Sequence, residues 1–477
     1  YRGTSVPNFA QGAVAMITAY LFFGLRDDHQ VPTWLAMAAA LGAGGALGGG
    51  FYFLVMRQLR NSPVLAKLVA TLALVTLLQG IALLSFNVQT KTPQSVLPAQ
   101  IFRFLGFNLV TDRIELALVA VVAAVALWLW SRYSRAGLAI RALADSEKGV
   151  QLLGYSPDVL GALTWTLGCM LAALAGILVS PIAGLDATAL TLLVVPVFSA
   201  ALVARFSSFG IAAAAAFLIG SGQSILQLFS QQGPWYTFLW EGPGRSDTFP
   251  ALLIIVAMVA SGRLLPQRGF LSAGRMPLSA RSRSLLLSAG VGVVIALPLI
   301  LFLPRSWVAA VTTSLLGAVI ALSLVAVSGY VGQISLAQVA FAGVGALVAG
   351  RLAATGGVPF PLPVLAAAAV STAMGVAVGL PALRVRGPSL AIVTLCAALI
   401  LDKLAFENPS FVGSGYVRVP APTLLGQQLG FRTYAVVVLA VFTLLAVALA
   451  RTRASRTGRR FLAVRENEAA ATAAGVN

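Results

Sequence analysis

The chain is written as long apolar runs separated by short polar turns. The runs lie near 9–25, 33–56, 64–86, 115–131, 159–180, 188–204, 209–229, 249–264, 285–303, 307–328, 334–350, 359–380, 389–406 and 433–450. Most approach or exceed the ~20 helical residues needed to cross a hydrocarbon layer. A segment in lipid must satisfy its own backbone hydrogen bonds, which leaves helices or the strands of a closed barrel, and barrel strands alternate polar with apolar positions. The run from Leu116 to Trp130 does not alternate. The pattern predicts an all-α fold, a polytopic transmembrane helical bundle of about 14 spans. Glycines and alanines inside the spans, as in Leu41–Gly50, Gly210–Phe217 and Ala340–Gly350, either bring helices close together or fill alanine-rich sequence.

Composition agrees with this picture. With 59% apolar and 10% charged residues over 477 positions, and a mean hydropathy of +0.92, the chain cannot hide its apolar surface in one soluble core. Its net charge of +18, from 32 basic and 14 acidic residues, would suggest nucleic acid in a soluble protein. Here topology explains it, and no nucleic-acid partner is expected. Five basic clusters lie at Arg57–Lys67, Arg132–Lys148, Arg263–Arg283, Arg384–Arg386 and Arg451–Arg465. Placing all five on the cytoplasmic side is consistent with the alternation of spans throughout. The opposite loops then hold Asp27, Asp28, Asp186, Glu241, Asp247 and Glu407, with the interface-suited aromatics Trp235, Tyr236, Phe238 and Trp240.

Cys169 and Cys396 fall within spans and the single histidine, His29, in a loop, so neither a disulfide framework nor a metal site can be assembled. Opening at Tyr1 without a methionine or a signal-like basic start, the chain is expected to be a trimmed piece of a longer one.

Two distant stretches align without a gap. Ser134–Ser156 reads SRAGLAIRALADSEKGVQLLGYS and Ser455–Asn477 reads SRTGRRFLAVRENEAAATAAGVN. Ser134, Arg135, Gly137, Ala142, Glu147 and Gly154 are matched by Ser455, Arg456, Gly458, Ala463, Glu468 and Gly475, with Asp145 opposite Glu466. Upstream, NFAQGAVAMITAY from Asn8 lies over SLAQVAFAGVGAL from Ser335, and LRNSPVLAKLVATL from Leu59 corresponds more weakly to RVRGPSLAIVTL from Arg384. Matching elements fall on the same side of the membrane, so the repeats are parallel rather than inverted. The expected organisation is a first half over 1–262, a basic cytoplasmic linker over 263–284 and a second half over 285–477. The first half continues through four more spans after its motif, whereas the second stops on the motif and is expected to have been cut.

Each motif follows a span with basic residues, continues through a helix-compatible stretch and reaches a glycine placed as a helix stop. Ile140 and Leu143, matched by Phe461 and Val464, are three apart and share a helix face. A helix that docks into a groove has this pattern, and so does one resting on lipid headgroups. Within the spans, polar side chains are costly and tend to face the bundle interior. Asn8, Gln11, Ser335 and Gln338 occupy equivalent positions in the two halves and either flank a solute path or join helix to helix. Gln79 and Gln223 rank below them. Asp402 and Lys403 are expected to pair or snorkel at a span's outer end.

The duplicated motif, together with PNFAQGAVAMITAY and LRNSPVLAKLVATLALVTLLQ in the first half and GYVGQISLAQVAFAGVGAL and LRVRGPSLAIVTL in the second, resembles the membrane subunits of ABC importers for branched-chain amino acids. The resemblance spans nearly the whole chain and implies two fused permease subunits forming two parallel permease repeats. It implies a bacterial inner-membrane location and an import function for branched-chain amino acids or related small polar solutes such as urea and amides. It implies two cytoplasmic ATPase subunits and an extracytoplasmic solute-binding protein as partners, in addition to the lipid bilayer. ATP and magnesium would be used by those subunits, with no cofactor bound by this chain and no catalytic residue in it. The ATPase-coupling residues it implies are Arg141, Asp145, Glu147 and Gly154 in the first loop, and Arg465, Glu466, Glu468 and Gly475 in the second.

Two departures concern the gate. The second subunit of the family usually carries an acid in the span after its LRG turn, where Leu399 stands here, with Asp402 and Lys403 a turn later. A glycine-rich turn in the first is replaced by Ala204–Ser208.

No phosphate-binding loop of the form GxxxxGK[ST] occurs, because none of the lysines at 67, 91, 148 and 403 follows a glycine. A secondary transporter or channel without an ATPase is the alternative, but it would call for ion-coupling acids at mid-membrane or inverted repeats of broken helices. A membrane enzyme would need a cluster of nucleophile, base or metal ligands that this sequence does not supply.

Overall fold

The computed structural model describes residues 7–86, 93–98, 100–104, 107–204, 206, 208–229, 248–261, 284–354, 356, 358–382, 388–412, 419, 422–424 and 427–476. The basic linker before Ser284, the aromatic group at 235–240, and Arg205 and Ser207 of the altered turn lie outside the described residues.

Two compact units divide near Ile225. The first contains α1 (Gln11–Phe23), α2 (Thr33–Phe51), α3 (Val64–Ser85), the strands β1 (Ile101–Phe104) and β2 (Phe107–Val110), α4 (Thr111–Tyr133), α5 (Arg135–Asp145), α6 (Glu147–Leu152), α7 (Pro157–Ala183), α8 (Ala187–Leu192) and α9 (Val194–Val203). α10 (Phe209–Phe229) runs across the division. The second contains α11 (Thr248–Ser261), α12 (Leu285–Phe302), α13 (Arg305–Leu324), α14 (Gln338–Ala354), α15 (Leu362–Ala382), α16 (Pro388–Leu401), α17 (Pro409–Val412), β3 (Thr423–Leu424), β4 (Gln427–Gln428), α18 (Phe431–Ala454), α19 (Arg456–Glu466) and α20 (Glu468–Ala473). Short π-helical turns extend α1, α2, α13 and α16, over Gly24–Asp28, Tyr52–Met56, Val325–Val331 and Asp402–Phe406.

Every apolar run is helical, but not all reach spanning length. Eight helices among the described residues are long and apolar enough to cross a membrane: Thr33–Met56, Val64–Ser85, Thr111–Tyr133, Pro157–Ala183, Phe209–Phe229, Arg305–Val331, Leu362–Leu380 and Phe431–Ala454. Against the expectation of about fourteen spans, the other runs form shorter apolar helices among the described residues. The run at 188–204 is split at Leu193. Pro196 has no N–H to return to the carbonyl four residues earlier, and the helix breaks there.

In the first unit α1 and α2 pack along α7. The contact depends on small residues: a Cβ on Gly44 would lie 2.9 Å from the Ala173 Cβ, and one on Gly48 only 2.5 Å from the Trp165 carbonyl oxygen. Gly42 and Gly50, two positions away on the opposite side of the helix, face open space, so only part of the glycine-rich stretch brings helices together. Met16, Tyr20, Phe22, Phe23, Ile177 and Leu190 fill the adjoining core. In the second unit α12, α13 and α18 close around Ile300, Val308, Ala435 and Leu439, while α14 meets α16 through Ala340, Val344 and Leu401. α11 packs on α16 within this unit. The sequence division at 262 follows the repeat; the packing division places α11 beyond it.

The apolar bundle also carries two short antiparallel hairpins, Ile101–Phe104 with Phe107–Val110 and Thr423–Leu424 with Gln427–Gln428. Each stands just before the span that leads into a copy of the repeated motif, so the repeat extends into an element that the hydrophobic pattern did not reveal.

Candidate functional site

The repeated motif is a pair of short helices at the C-terminal end of α4 and again of α18. In the first copy the Ser134 Oγ accepts a hydrogen bond from the Gly137 N–H at 2.9 Å, and in the second the Ser455 Oγ accepts from the Gly458 N–H at 3.3 Å. These are N-caps, satisfying a donor that the first helical turn leaves open. Both helices then run eleven residues, Arg135–Asp145 and Arg456–Glu466. Both break at an extended residue, Ser146 (φ −154°, ψ 107°) and Asn467 (φ −160°, ψ 105°). That residue caps a second helix of six residues, accepting from the Gly149 N–H and the Ala470 N–H, each at 3.1 Å. Gly154 and Gly475 end the motifs with φ of +84° and +79°, the left-handed conformation that glycine adopts without strain.

Gly137 and Gly458 have a steric purpose as well. A Cβ on Gly137 would lie 2.5 Å from the Trp130 carbonyl oxygen and 2.6 Å from the Ser131 Cα, and one on Gly458 would lie 2.6 Å from the Arg453 Cα. Each glycine lets the motif fold tightly against the end of its own span.

The expected docking face is used internally. Ile140 is buried with Ala139, Val150 and Leu160, and Leu143 packs against that cluster, so in the first copy these side chains seat the motif on α7. An amphipathic pattern shows that a face is covered and not which chain covers it. The outward apolar surface is instead at the end of α6, where Leu152 is 89% and Leu153 73% exposed. Ala473 and Ala474 occupy the corresponding exposed positions of the second copy.

Glu147 opens α6, where a negative charge suits a helix N-terminus, and pairs with Arg60. Arg60 also lies 3.5 Å from Asp158, the first-turn acid of α7, and the Arg57 Nε lies 3.1 Å from the same carboxylate. The turn after α2 is thereby tied to both α6 and α7. Arg57 and Arg60 entered the sequence reading only as topology charges; Asp158 gave no signal, being about a hundred positions from its partners. Arg141 donates to the Arg132 carbonyl at the end of α4, at 3.3 Å. Asp145, Glu466, Gly154 and Gly475 are exposed. In the second copy Arg465 donates to the Gly329 carbonyl, in the π turn after α13, and its side chain packs over Gly332. The side chain of Glu468 lies outside the described residues.

The polar pairs keep their equivalence. The Asn8 Oδ1 accepts from the Ala10 N–H at 3.0 Å and the Ser335 Oγ from the Ala337 N–H at 3.5 Å, just ahead of α1 and α14. Gln11 begins α1 beside Gly168 of α7, and Gln338 begins α14 accepting from the Ser323 hydroxyl of α13 at 3.2 Å. Lys403 pairs with Glu407 at 2.5 Å, rather than with Asp402. No group of three or more metal-ligating side chains occurs among the described residues.

A multi-pass helical membrane protein built from two copies of one unit, each ending a span in the same capped pair of short helices, is the class that fold and site define. The chain belongs to the branched-chain amino acid transport system permease component family, whose model matches residues 1–260 and again 306–477. It is 30% identical over 189 residues to the high-affinity branched-chain amino acid transport system permease protein LivH of Salmonella typhimurium, covering 37% of this chain and 61% of that one. The probable branched-chain amino acid transport permease protein LivH of Methanocaldococcus jannaschii is 25% identical over 234 residues, covering 48% of this chain and 74% of that one. The permease protein BraD of Pseudomonas aeruginosa is 30% identical over 183 residues, with 36% and 60% covered. The chain thus spans about three-fifths of the length of the Salmonella relative. No solved structure matches it. Family and apolar helices together make it a multi-pass inner-membrane protein.

Proposed function

We propose that this chain is the membrane-spanning permease component of an ATP-driven importer, and that it moves branched-chain amino acids or related small polar solutes such as urea and amides. The observation that carries this reading is the recurrence of one capped helix pair, with the same helix lengths and cap positions, at the C-terminal ends of two spans. Two copies of one docking element suit two copies of a cytoplasmic ATPase, which would bind ATP and magnesium. An extracytoplasmic binding protein would deliver the solute.

In this reading α6 and α20 seat in the ATPases. A push on α6 reaches the turn after α2 through Glu147 and Arg60, and reaches α7 through Asp158. α2 and α7 are in backbone-close contact at Gly48, so they move as one body and carry α1, with Asn8 and Gln11 at its start. Nucleotide state then biases the bundle between inward and outward access. Asn8, Gln11, Ser335 and Gln338 are the groups we assign to the solute path.

The test is co-expression with the two ATPases and the binding protein, followed by uptake of labelled leucine into vesicles. Uptake that requires ATP supports the reading. Uptake without nucleotide, or failure of the ATPases to co-purify with the chain, overturns it.

A further inference from the structure

The packing of the second unit leaves a groove of about 690 Å³ between α12 and α18. At one end of it Ile300 of α12 and Val308 of α13 close on Ala435 and Leu439 of α18. The groove is lined by Val293 and Leu297 of α12 and by the face of α18 from Val436 to Arg451. The lining is apolar apart from two groups. The Thr443 hydroxyl is committed to the Leu439 carbonyl at 2.8 Å, which leaves Arg451 as the polar feature of the groove.

Length and charge identify the occupant. From Val436 to Arg451 α18 rises about 22 Å at ~1.5 Å per residue. That exceeds half of a hydrocarbon layer ~30 Å thick, so the α18 face of the groove covers the depth of one leaflet. Its rim is exposed and apolar, with Val294 71% and Leu444 68% exposed, as a lipid-facing surface should be. Arg451 stands at the cytoplasmic end, followed by Arg453, Arg456, Arg459 and Arg460, and no acidic residue occurs between Phe431 and Arg465. An apolar slot of leaflet depth that opens onto a guanidinium is complementary to an acyl chain carrying a phosphate.

We propose that this groove is a binding site for an anionic phospholipid of the cytoplasmic leaflet, with one acyl chain between α12 and α18 and the headgroup phosphate on Arg451. Because α18 leads directly into α19, such a lipid would brace the span that carries the second cytoplasmic motif.

The experiment is native mass spectrometry of the full chain, purified and equilibrated with mixed micelles containing equal phosphatidylglycerol and phosphatidylethanolamine. The wild type is expected to retain phosphatidylglycerol preferentially. Arg451→Gln should reduce that retention roughly five-fold, the effect of one basic contact at a membrane surface. Ala440→Trp, an exposed position on the groove face, should block the acyl slot and abolish it. If that variant does not fold, Ala448→Phe fills the same slot one level lower. Arg459→Gln, outside the groove, should leave retention unchanged. A wild type without preference for phosphatidylglycerol overturns the proposal. So does a loss with Arg459→Gln equal to that with Arg451→Gln, or full retention when the slot is filled.

Discussion

The two repeated motifs have the same shape and different moorings. In both, a serine caps an eleven-residue helix, an extended polar residue caps a six-residue helix, and a left-handed glycine ends the pair. Yet the first is held by an acid, Glu147, on an arginine of the turn after α2, whereas the second is held by a base, Arg465, on the backbone at the end of Arg305–Val331. The difference separates two requirements. Shape is fixed locally by caps and by a glycine that allows close approach, so it recurs wherever those residues do. Mooring depends on which span end lies beside the motif, so it differs between the halves.

The strongest attempt to break this comparison is at the glycines. Gly137→Val and Gly458→Val each force a side chain into the backbone of the preceding span end. Overpacking of this kind costs about 1–3 kcal/mol. Uptake is expected to fall by at least about tenfold in both variants; a loss in one half alone would show that the shapes are not equally required.

Next in size is the outward face. Leu152→Asp with Leu153→Asp removes two exposed apolar side chains, each offering about 1.5–3 kcal/mol if covered by a partner. Ala473→Asp with Ala474→Asp removes far less. ATPase co-purification should therefore collapse with the leucine pair and weaken only severalfold with the alanine pair, and equal losses would contradict docking through α6.

The smallest effect is at the moorings. The Arg60–Glu147 pair is partly exposed, and such pairs contribute about 0–1 kcal/mol. Glu147→Gln should lower transport per ATP hydrolysed by a few-fold, and the wild type should show a matching loss at high salt. Restoration by Arg60→Glu with Glu147→Arg would be weakened by Asp158, which faces Arg60 as well. ATP hydrolysis that stays fully coupled in Glu147→Gln would remove Arg60 from the route.

The sequence revealed what lipid and repetition impose. Runs such as Leu116–Trp130 must be helices because no partner in the membrane core can satisfy their backbone, and the motif stood out through matched residues such as Gly137 and Gly458. The break at Ser146 and Asn467 did not stand out, because the two residues differ; a polar cap followed directly by glutamate was the available signal. Spanning length failed at 188–204 because apolar content does not register what Pro196 does to the backbone. The hairpins before α4 and α18 are too short to alternate convincingly. Ile140 and Leu143 have the pattern of a face for a groove or for lipid headgroups, and amphipathicity does not distinguish either from the surface of α7 that covers them.

One consequence follows from the six residues of α6 and α20. A helix of that length does not sustain itself in water, where about 12–15 residues are needed even in favourable sequences. α6 persists because Ser146 caps it and Val150 is buried beneath it. In the proposed function, an ATPase would then meet a helix held ready by its cap and one buried side chain rather than by its own length. Such a helix presents Leu152 and Leu153 without first having to fold, so binding there would carry little ordering cost.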